Sequence, residues 1–511
     1  MTCIHWRNTT ENMEIKIVIG QGSSAVEYTL LADKSVSFTA AMRQLGLAFH
    51  APCGGKGRCL KCGIRFLYGS SVVTDADTEA YERRELNNGY RLGCQAILTR
   101  DCKIEIPSHM VDQVDSADVA RMEGLADFGQ NKFALAVDVG STTLAMAAVD
   151  VTTGQILAQG TRTNSQTAFG ADVMTRIDAA NHGQDKDLQQ AVRQDLRDMA
   201  LELVGPIKAD YKVVAAGNTT MVHLAMDYPA QGLAQAPFVP YTLEALDFVE
   251  RSKQVHVMPG ISAFVGGDIV SGLYYLDLPA KEGPSLFIDM GTNAELVLFD
   301  GKTYYCASAA AGPALEGGNL SQGLASVKGA INHAYIEDGK CIYSTIANAP
   351  AQGICGSGAI DLVYQLRKEG IIDAGGLLSD EYSQKGYPVT EDIFLTGEDI
   401  QQILLAKSAI RSGIDLLLSQ AGLSASDVAH LYVAGGLGAA ARAESVAKIG
   451  IIPAELEDKY QAVGNTSLQG TIKYILSPNQ EAIDAIIATA QTVELGGNSL
   501  FEEKFLENLY L

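Results

Sequence analysis

The chain of 511 residues is 47% hydrophobic, which is more apolar material than one core can hold and predicts two to four domains. Its net charge of −22 disfavours nucleic acid as a partner, because phosphate binding needs a concentrated basic face. The sequence has no run of about 18 apolar residues to cross a bilayer, and its amino terminus lacks the hydrophobic core of a signal peptide. Nine cysteines, four of them at metal-type spacing, indicate a reducing compartment rather than a disulfide framework. We therefore expect a cytoplasmic protein with neither a membrane nor a nucleic-acid partner.

Residues 14–107 are predicted to form a small β-grasp domain, after a tail of residues 1–13 that shows no periodicity. The stretches EIKIVIG and AVEYTLL alternate apolar and polar residues, which predicts a hairpin across a QGSS turn. Residues 36–47 space their apolar positions as a helix does, and residues 63–68 follow as a strand. Two later stretches, YRLGCQAIL and CKIEIP, supply the closing strands. A hairpin, a helix and further strands in this order are typical of a β-grasp sheet.

Four cysteines of this domain follow the pattern C-x5-C-x2-C and then, after 31 residues, a fourth cysteine. The loop that carries the first three is rich in glycine, so its backbone can wrap closely and direct N–H groups at sulfur. In a β-grasp domain this spacing resembles a [2Fe-2S] ferredoxin of the adrenodoxin type, and the resemblance implies a cluster held by four thiolates. The alternative is a structural zinc ion, which usually needs a second C-x2-C pair. The candidate ligands are Cys53, Cys59, Cys62 and Cys94.

Residues 108–131 are polar and acidic with little strand pattern and are predicted to be a linker, after which residues 132–511 have α/β character. The stretch KFALAVDVGSTTLAMAAVDVTTGQILAQG predicts three strands joined by two turns, and SLFIDMGTNAELVLFDGKTYYCAS repeats that plan. This duplication resembles the superfamily of actin, sugar kinases and heat-shock chaperones, in which two ribonuclease H-like lobes close on ATP. The alternative is a pair of ordinary Asp-Gly turns. The predicted fold class is thus α+β plus α/β: a β-grasp [2Fe-2S] ferredoxin-like domain, then a duplicated actin-like ATPase domain of two lobes.

The superfamily resemblance implies a nucleotide site at the first turn of each repeat. Asp138 and Asp289 would be catalytic carboxylates that hold a Mg²⁺ ion through its water ligands. The N–H groups and hydroxyls of the turns would bind phosphate oxygens. These donors are Gly140, Ser141, Thr142 and Thr143 in the first turn and Gly291, Thr292 and Asn293 in the second.

Two further stretches fit the same superfamily. The stretch HLYVAGGLGAAARAES resembles its adenosine-binding segment, in which Gly435, Gly436 and Gly438 would let an adenine ring lie against the backbone. Its alternative is a glycine-rich helix start without a ligand. The stretch VVAAGNTTMVHL, with Asn218 and Thr219, resembles a connecting motif that contributes to nucleotide binding. Its alternative is a polar turn that caps a helix.

Asp268, in VGGDIVSGLYY, lies 21 residues before the second acidic turn. Hexokinase-like members of the superfamily have an aspartate at about this place that accepts a proton from the attacking hydroxyl. The resemblance therefore implies that Asp268 is the catalytic base for water. The alternative is an aspartate that only caps the following helix.

The two predicted domains together resemble the reductive activators of corrinoid proteins, over residues 14–107 and 132–511. In that family an ATP-hydrolysing iron–sulfur protein passes one electron to an inactive Co(II) corrinoid and restores Co(I). The resemblance implies a [2Fe-2S] cluster, ATP and Mg²⁺ as cofactors. It implies as partners the corrinoid protein of a methyltransferase system and a low-potential donor, namely a ferredoxin, a flavodoxin or a reductase. The alternatives are an activator of a 2-hydroxyacyl-CoA dehydratase or benzoyl-CoA reductase type enzyme, and a redox-sensing, ATP-dependent chaperone.

The charge is divided unevenly between the two parts of the chain. Residues 1–107 carry 13 Lys and Arg against 11 Asp and Glu, so the excess of negative charge lies in the remainder. Four basic residues lie within and beside the cysteine stretch, and we call them the basic rim. The rim would dock either an acidic electron donor or the chain's own acidic ATPase domain. The alternative is a set of solvated charges without a role. The rim consists of Lys56, Arg58, Lys61 and Arg65.

Overall fold

The structure is a computed structural model. It describes residues 13–20, 25–32, 35–45, 47–49, 51, 55–107, 110–113, 118–121, 132–205, 210–337 and 339–511. The chain forms two compact units. The first comprises Met1–Leu135, Val139–Asp210 and Thr220–Tyr241, and the second comprises Ala136–Asp138, Tyr211–Thr219 and Thr242–Leu511. Across the described residues, no helix combines the length and the apolar composition needed to cross a bilayer.

The first unit begins with the predicted β-grasp arrangement. Its five-stranded sheet has the order β2-β1-β8-β5-β6, with the hairpin β1-β2 antiparallel and β1-β8 parallel. Alternate residues of β1, Ile15 and Ile17, are fully buried and pack with Phe38 and Met42 of α1. The helix predicted over 36–47 is shorter, because a two-residue strand precedes it and pairs with β7. The elements are β1 (Met13–Ile19), β2 (Val26–Ala32), β3 (Val36–Ser37), α1 (Phe38–Gln44), β4 (Leu47–Phe49), β5 (Gly63–Tyr68), α2 (Asp75–Ala80), α3 (Arg83–Asn87), β6 (Tyr90–Leu92), β7 (Ile97–Leu98) and β8 (Cys102–Ile106).

The stretch 108–131, predicted to be a linker, contains two strands among its described residues. The strand β9 (Val111–Gln113) pairs antiparallel with β4. The strand β10 (Asp118–Arg121) pairs antiparallel with β13 (Ile156–Thr163). The polar composition of this stretch did not predict either strand. Short edge strands need few apolar residues, because pairing of their backbone groups holds them in the sheet.

A seven-stranded sheet of order β10-β13-β12-β11-β14-β16-β15 follows. The strands β12 and β13 form the predicted hairpin, with Leu144 opposite Arg162. Strand β11 contributes residues to both compact units, because its Ala136–Asp138 portion groups with the second. The elements of this region are β11 (Phe133–Val139), β12 (Thr143–Asp150), α4 (Val173–Ala179), α5 (Asp185–Val204), β14 (Lys212–Gly217), α6 (Thr219–Met226), β15 (Leu246–Glu250) and β16 (Lys253–Val257).

The second unit is built on a six-stranded sheet of order β26-β25-β17-β18-β19-β27. One face packs on helices α8 and α9 and the other on α7 and α13, so apolar side chains cover both faces. The elements are α7 (Gly267–Leu276), β17 (Ser285–Met290), β18 (Ala294–Phe299), β19 (Tyr304–Ala309), β20 (Ala330–Glu337), β21 (Lys340–Thr345), β22 (Gly353–Ile354), α8 (Gly356–Lys368), β23 (Tyr387–Pro388), β24 (Phe394–Leu395), α9 (Gly397–Ala421), β25 (His430–Ala434), α10 (Gly435–Ala440), α11 (Ala443–Lys448), β26 (Tyr460–Gly464), α12 (Thr466–Leu476), α13 (Gln480–Thr489), β27 (Ala490–Thr492) and α14 (Ser499–Glu507).

The two sheets share the duplicated plan that the sequence predicts. In each sheet the three strands of the repeat are adjacent, and a later strand of the chain pairs with the first of them. The orders are β13-β12-β11-β14 in one sheet and β19-β18-β17-β25 in the other. Asp138 is the penultimate residue of β11 and Asp289 the penultimate residue of β17. The duplication thus places an aspartate at the same position of both sheets.

Candidate nucleotide site and cysteine loop

Carboxylates from several elements of the second unit lie close enough to influence one another. Asp138 and Asp289 come from the ends of two strands, and Asp268 comes from the first turn of α7. Glu295 on β18 joins them, because its pKa responds to the charges of Asp268 and Asp289. Each of these side chains keeps some accessible surface, yet protein surrounds it on most sides.

The acidic groups raise one another's pKa values. Burial raises the pKa of Asp268 to about 8, and the charges of Asp138 and Asp289 add to the rise. Burial raises the pKa of Asp289 to about 7, with Asp138 and Glu316 contributing. The pKa of Glu295 lies well above its ordinary value, first through burial and then through its two aspartate neighbours. A cation bound here would relieve this repulsion, which is the electrostatic condition of a metal site.

Asp138 is held by the amino terminus of α12. Asn465 donates from Nδ2 to one carboxylate oxygen at 2.8 Å, and Ser467 donates from Oγ to the other at 2.7 Å. Asn465 is also the N-cap of α12, since its Oδ1 accepts from the N–H of Leu468 at 2.8 Å. Burial still raises the pKa of Asp138, although both side-chain hydrogen bonds oppose the rise. Sequence reasoning missed both donors, and the N-cap pattern of Asn-Thr-Ser before an apolar helix was the only local signal.

Asp268 is not the N-cap of α7, because that position belongs to Gly266. The Asp268 carboxylate does accept one backbone hydrogen bond, from the N–H of Ile269 at 2.8 Å. A Cβ at Gly266 would lie 2.5 Å from the Cα of Asn218 and 2.6 Å from the backbone nitrogen of Thr219. The start of α7 therefore packs directly on the predicted connecting motif. Asn218 and Thr219 set the position of the helix that carries Asp268.

The two predicted phosphate turns lie at equivalent places but differ in their contacts. In the first unit Gly140, Ser141 and Thr142 connect β11 to β12, and Thr143 begins β12. In the second unit Gly291, Thr292 and Asn293 connect β17 to β18, with the N–H of Gly291 donating to the carbonyl of Asn293 at 3.0 Å. The Thr292 hydroxyl donates to Glu316. Glu316 was not singled out from the sequence, because it lies in a short 3-10 helix, Pro313–Glu316, outside the repeat.

The glycine-rich segment after β25 contacts the second aspartate. Gly435 has a φ of +85°, and a Cβ there would lie 2.6 Å from the carbonyl of Met290 and 3.0 Å from Oδ1 of Asp289. A Cβ at Gly438 would lie 2.7 Å from the side chain of Val433, so that glycine serves helix packing. A Cβ at Gly436 would meet no atom within 4 Å. Gly436 is exposed, so a side chain there would meet no neighbour.

The cysteine loop brings at least two of its predicted ligands together. Cys62 and Cys94 share a hydrogen bond, which lowers the pKa of the Cys94 thiol to about 6 and raises that of Cys62. The charge of Cys59 also raises the pKa of Cys62, and Gln95 donates to the Cys94 sulfur at 3.6 Å. Cys53 lies outside the described residues. In the described part of the chain no three His, Cys, Asp or Glu side chains meet as a bare metal-ion site.

Glycine fits the cysteine loop for a steric reason. Gly55 and Gly57 have φ values of +79° and +69°. A Cβ at Gly57 would lie 2.9 Å from the Cβ of Ala76 and 3.2 Å from the Gln95 side chain. The backbone of Gly57 is close to sulfur, since its N–H lowers the pKa of Cys94. This loop can therefore direct backbone N–H groups at thiolate ligands, which is what a thiolate-bound cluster requires.

The basic rim divides into paired and exposed members. Lys56 forms an ion pair with Asp178 of α4, within the first unit. Arg65 lies 3.8 Å from Glu105 and 5.5 Å from the ring centre of Tyr90. Arg58 and Lys61 are exposed. The ion pair of Lys56 lies within the first unit, and the docking role of the rim stays a prediction.

Two family models match the chain over most of its length. The model described as "RACo middle region" matches residues 133–281, and "C-terminal domain of RACo the ASKHA domain" matches residues 283–511. Both begin after the β-grasp region. Between them they account for well over half of the chain.

Similar proteins share the whole arrangement. The corrinoid activation enzyme RamQ of Eubacterium limosum is 28% identical over 561 aligned positions, which cover 91% of this chain and 94% of RamQ. The [Co(II) methylated amine-specific corrinoid protein] reductase of Methanosarcina barkeri is 24% identical, covering 74% of this chain and 76% of its own. A solved "Reductive activator for corrinoid,iron-sulfur protein" has a TM-score of 0.67 at 26% identity and covers 98% of each chain. The similarity therefore includes the β-grasp region as well as the ATPase region.

Proposed function

The chain belongs to the family of reductive activators of corrinoid proteins, and from that premise we propose that its cysteine loop and its acidic hairpins are the two working sites. The activity is the ATP-dependent return of an inactive Co(II) corrinoid to Co(I) by one electron. One observation carries the proposal: a β-grasp domain with a four-cysteine pattern precedes two hairpins, and the first strand of each hairpin has a half-buried aspartate as its penultimate residue. Such a chain would combine electron storage with nucleotide chemistry.

Cys53, Cys59, Cys62 and Cys94 would hold the [2Fe-2S] cluster. Three features of the described residues support this: the contact of Cys62 with Cys94, the sulfur-directed N–H of Gly57, and the donation by Gln95. When bound, such a cluster stores and passes single electrons. Arg58 and Lys61 would draw an acidic low-potential donor, namely a ferredoxin, a flavodoxin or a reductase, to this end of the molecule.

Asp138 and Asp289 would hold Mg²⁺ through its water ligands, and the turns that follow them would bind the phosphates of ATP. Bound Mg²⁺ supplies positive charge that neutralises the phosphates. Asp268 would accept a proton from the attacking water once a bound cation offsets the charges of Asp138 and Asp289 and favours its ionised form. Gly435 and Gly436 would lie against the adenosine, while Gly438 would let the start of α10 pack on Val433 beside it. Asn218 and Thr219 would contribute to the nucleotide site by fixing the position of α7, the helix that carries Asp268.

ATP is required because the electron moves uphill. The Co(II)/Co(I) couple of this family lies at very low potential, while a thiolate-bound [2Fe-2S] cluster usually lies higher. Each ~59 mV of a one-electron gap costs about 1.4 kcal/mol, so a gap of ~200 mV needs roughly 5 kcal/mol of coupling. A two-lobed ATPase provides such coupling if its nucleotide-bound and nucleotide-free forms bind the Co(II) partner with different affinity.

The absorption spectrum of a Co(II) corrinoid protein tests the proposal. We expect the wild-type protein with a low-potential reductant to form Co(I) only when Mg-ATP is present. Asp289→Ala should keep the visible spectrum of the cluster yet lose ATP-dependent Co(I) formation. Asp380→Ala, a change of the same type at an exposed site, should behave as wild type. Undiminished activation by Asp289→Ala would overturn the assigned site, and no Co(I) formation by the wild type would favour the dehydratase-activator or chaperone alternatives.

The cluster ligands are tested separately by spectroscopy. We expect Cys94→Ser to lose the visible absorption and the electron paramagnetic resonance signal of a reduced [2Fe-2S] cluster. Cys306→Ser is the matched control, because Cys306 is buried in the core of the second unit and is not part of the four-cysteine pattern. A full complement of iron in Cys94→Ser would remove Cys94 from the ligand set, and bound zinc in place of iron in the wild type would support the alternative site.

A further inference from the structure

One segment of the first unit touches both proposed working sites. It runs from the end of β13 to the end of α4, residues 164–179, and we call it the connector. Its first residue contacts the turn that follows β11, and its last turn contacts the cysteine loop. The role of this segment rests on the proposed nucleotide and cluster sites.

The connector begins by fixing the first phosphate turn. Asn164 is fully buried, and its Nδ2 donates to the carbonyl of Gly140 at 2.9 Å. Its backbone N–H donates to the carbonyl of Thr142 at 2.8 Å, and its Oδ1 accepts from the N–H of Gln166 at 3.0 Å. A movement of this turn on binding phosphate would therefore displace Asn164.

The middle of the connector is tightly packed. Ser165 donates from both its backbone nitrogen and its hydroxyl to Asp195 of α5, at 2.8 Å each. A Cβ at Gly170 would lie only 2.2 Å from the hydroxyl of Thr175. Such a segment moves as a body, because closely packed groups have no space in which to absorb a displacement.

A buried arginine lies at the centre of the connector. Arg176 is fully buried, and its Nε donates to the carbonyl of Gly170 at 2.9 Å. Both Arg176 and Asn164 point donors at the sulfur of Met221, at 3.4 and 3.7 Å. The remaining NH2 of Arg176 has no hydrogen-bond partner among the described residues. A buried donor without an acceptor costs free energy. A small shift of the connector that gave this nitrogen an acceptor would therefore lower the free energy of the segment.

The connector ends at the cysteine loop. Asp178 forms an ion pair with Lys56, which lies between Cys53 and Cys59 in the sequence. The side chains of the pair are 35% and 36% exposed, so the pair adds little to stability. Its effect is positional, because it ties the loop to α4.

From these contacts we infer that Asn164 and Asp178 are positioning residues that link the first phosphate turn to the loop carrying the cysteines. Nucleotide at the turn shifts the connector, and the ion pair carries that shift to residues 55–62. The environment of the cluster thereby depends on whether nucleotide is bound. This is the kind of coupling that ATP-driven electron transfer needs.

Hydrogen exchange of the full-length holoprotein tests the inference. We expect Mg-AMP-PNP to change the amide exchange rate of residues 55–62 by about threefold or more in the wild type. Asp178→Asn and Lys56→Met should abolish that change while the nucleotide Kd stays within about twofold of wild type. The swapped pair Lys56→Asp with Asp178→Lys should restore the change. Asp187→Asn, an exposed site on α5, is the control.

The outcomes separate this inference from the proposed function. Nucleotide binding by the wild type without a change at residues 55–62 overturns the inference alone. Persistence of the change in both single variants also overturns it. Failure of the wild type to bind nucleotide overturns the proposed nucleotide site and this inference together.

Discussion

The two hairpins that carry Asp138 and Asp289 have the same strand plan but differ in the hydrogen bonds that their aspartates accept. Asp138 and Asp289 occupy the same place in their strands, yet Asp138 accepts hydrogen bonds from Asn465 and Ser467. In the described part of the chain no side chain donates to Asp289, and a glycine backbone faces its carboxylate instead. Two fixed donors therefore offset part of the cost of burying the first aspartate, whereas the second has no such side-chain donor among the described residues.

The difference shows how a duplicated unit can specialise. Hydrogen bonds to the ionised form favour that form, so those on Asp138 oppose the effect of burial. Asp289 has no such compensation, and its pKa rises to about 7. A cation in the site would thus change the protonation of Asp289 more than that of Asp138. One repeat thus carries an aspartate whose ionised form two hydrogen bonds favour, and the other carries an aspartate without such donors.

The largest test of this comparison replaces each aspartate by asparagine. We expect both Asp289→Asn and Asp138→Asn to lower ATP hydrolysis by about 100-fold or more, since each removes a charge that holds the cation. Their effects on stability should differ in size. Without Mg²⁺, Asp289→Asn should raise Tm because it removes an uncompensated repulsion, whereas Asp138→Asn should raise Tm less because Asn465 and Ser467 lose a charged acceptor. Calorimetry measures both, and equal shifts would show that the two aspartates are equivalent.

Local patterns predicted most of the fold, and the residues proposed for the site come from patterns of the same kind. The cysteine spacing, the two Asp-x-Gly turns and the glycines after β25 are short motifs, each readable because turn chemistry needs particular residues at fixed spacing. The hairpin of residues 13–32 and both three-strand repeats were predicted for the same reason and are confirmed. These elements are determined by residues close in sequence.

What sequence reasoning missed depends on tertiary contact. Asn465 and Ser467 lie more than 320 residues from Asp138 in the sequence. No local pattern at either place predicts that they donate hydrogen bonds to its carboxylate. Glu295 is a single acidic residue in an apolar strand. The alternation of polar and apolar residues in a strand would place such a glutamate on the solvent-exposed face. The strands within residues 108–131 are visible only through their partners β4 and β13.

A second test uses the pH dependence of stability without Mg²⁺. A carboxyl whose pKa rises on folding binds its proton more tightly in the folded chain. The stability it contributes is complete below the ordinary aspartate value of 3.8 and is lost as pH rises through about 7 for Asp289 and about 8 for Asp268. We therefore expect the Tm of metal-free protein to fall between pH 5 and pH 8, in scanning calorimetry.

Two conditions should flatten that pH profile. Saturating Mg-ATP supplies the missing cation, and Asp289→Asn removes one of the titrating groups. Asp380→Asn, at an exposed site, should leave the slope of the wild type unchanged. A metal-free profile that is level from pH 5 to pH 8 would mean that the acidic groups do not repel one another in the folded chain.

The smallest expected effect comes from the donors of Asp138. Ser467→Ala removes one hydrogen bond to a charged group and should cost about 1.5–3 kcal/mol of unfolding free energy when Asp138 is ionised. Asn465→Ala removes the second donor and also the N-cap of α12, which adds about 1 kcal/mol. Ser383→Ala, at an exposed position, is the control for denaturant unfolding. If the cost of Ser467→Ala disappears in an Asp138→Asn background, the serine acts on the charge of the first aspartate; an unchanged cost would assign it to helix packing and would remove the asymmetry between the two hairpins.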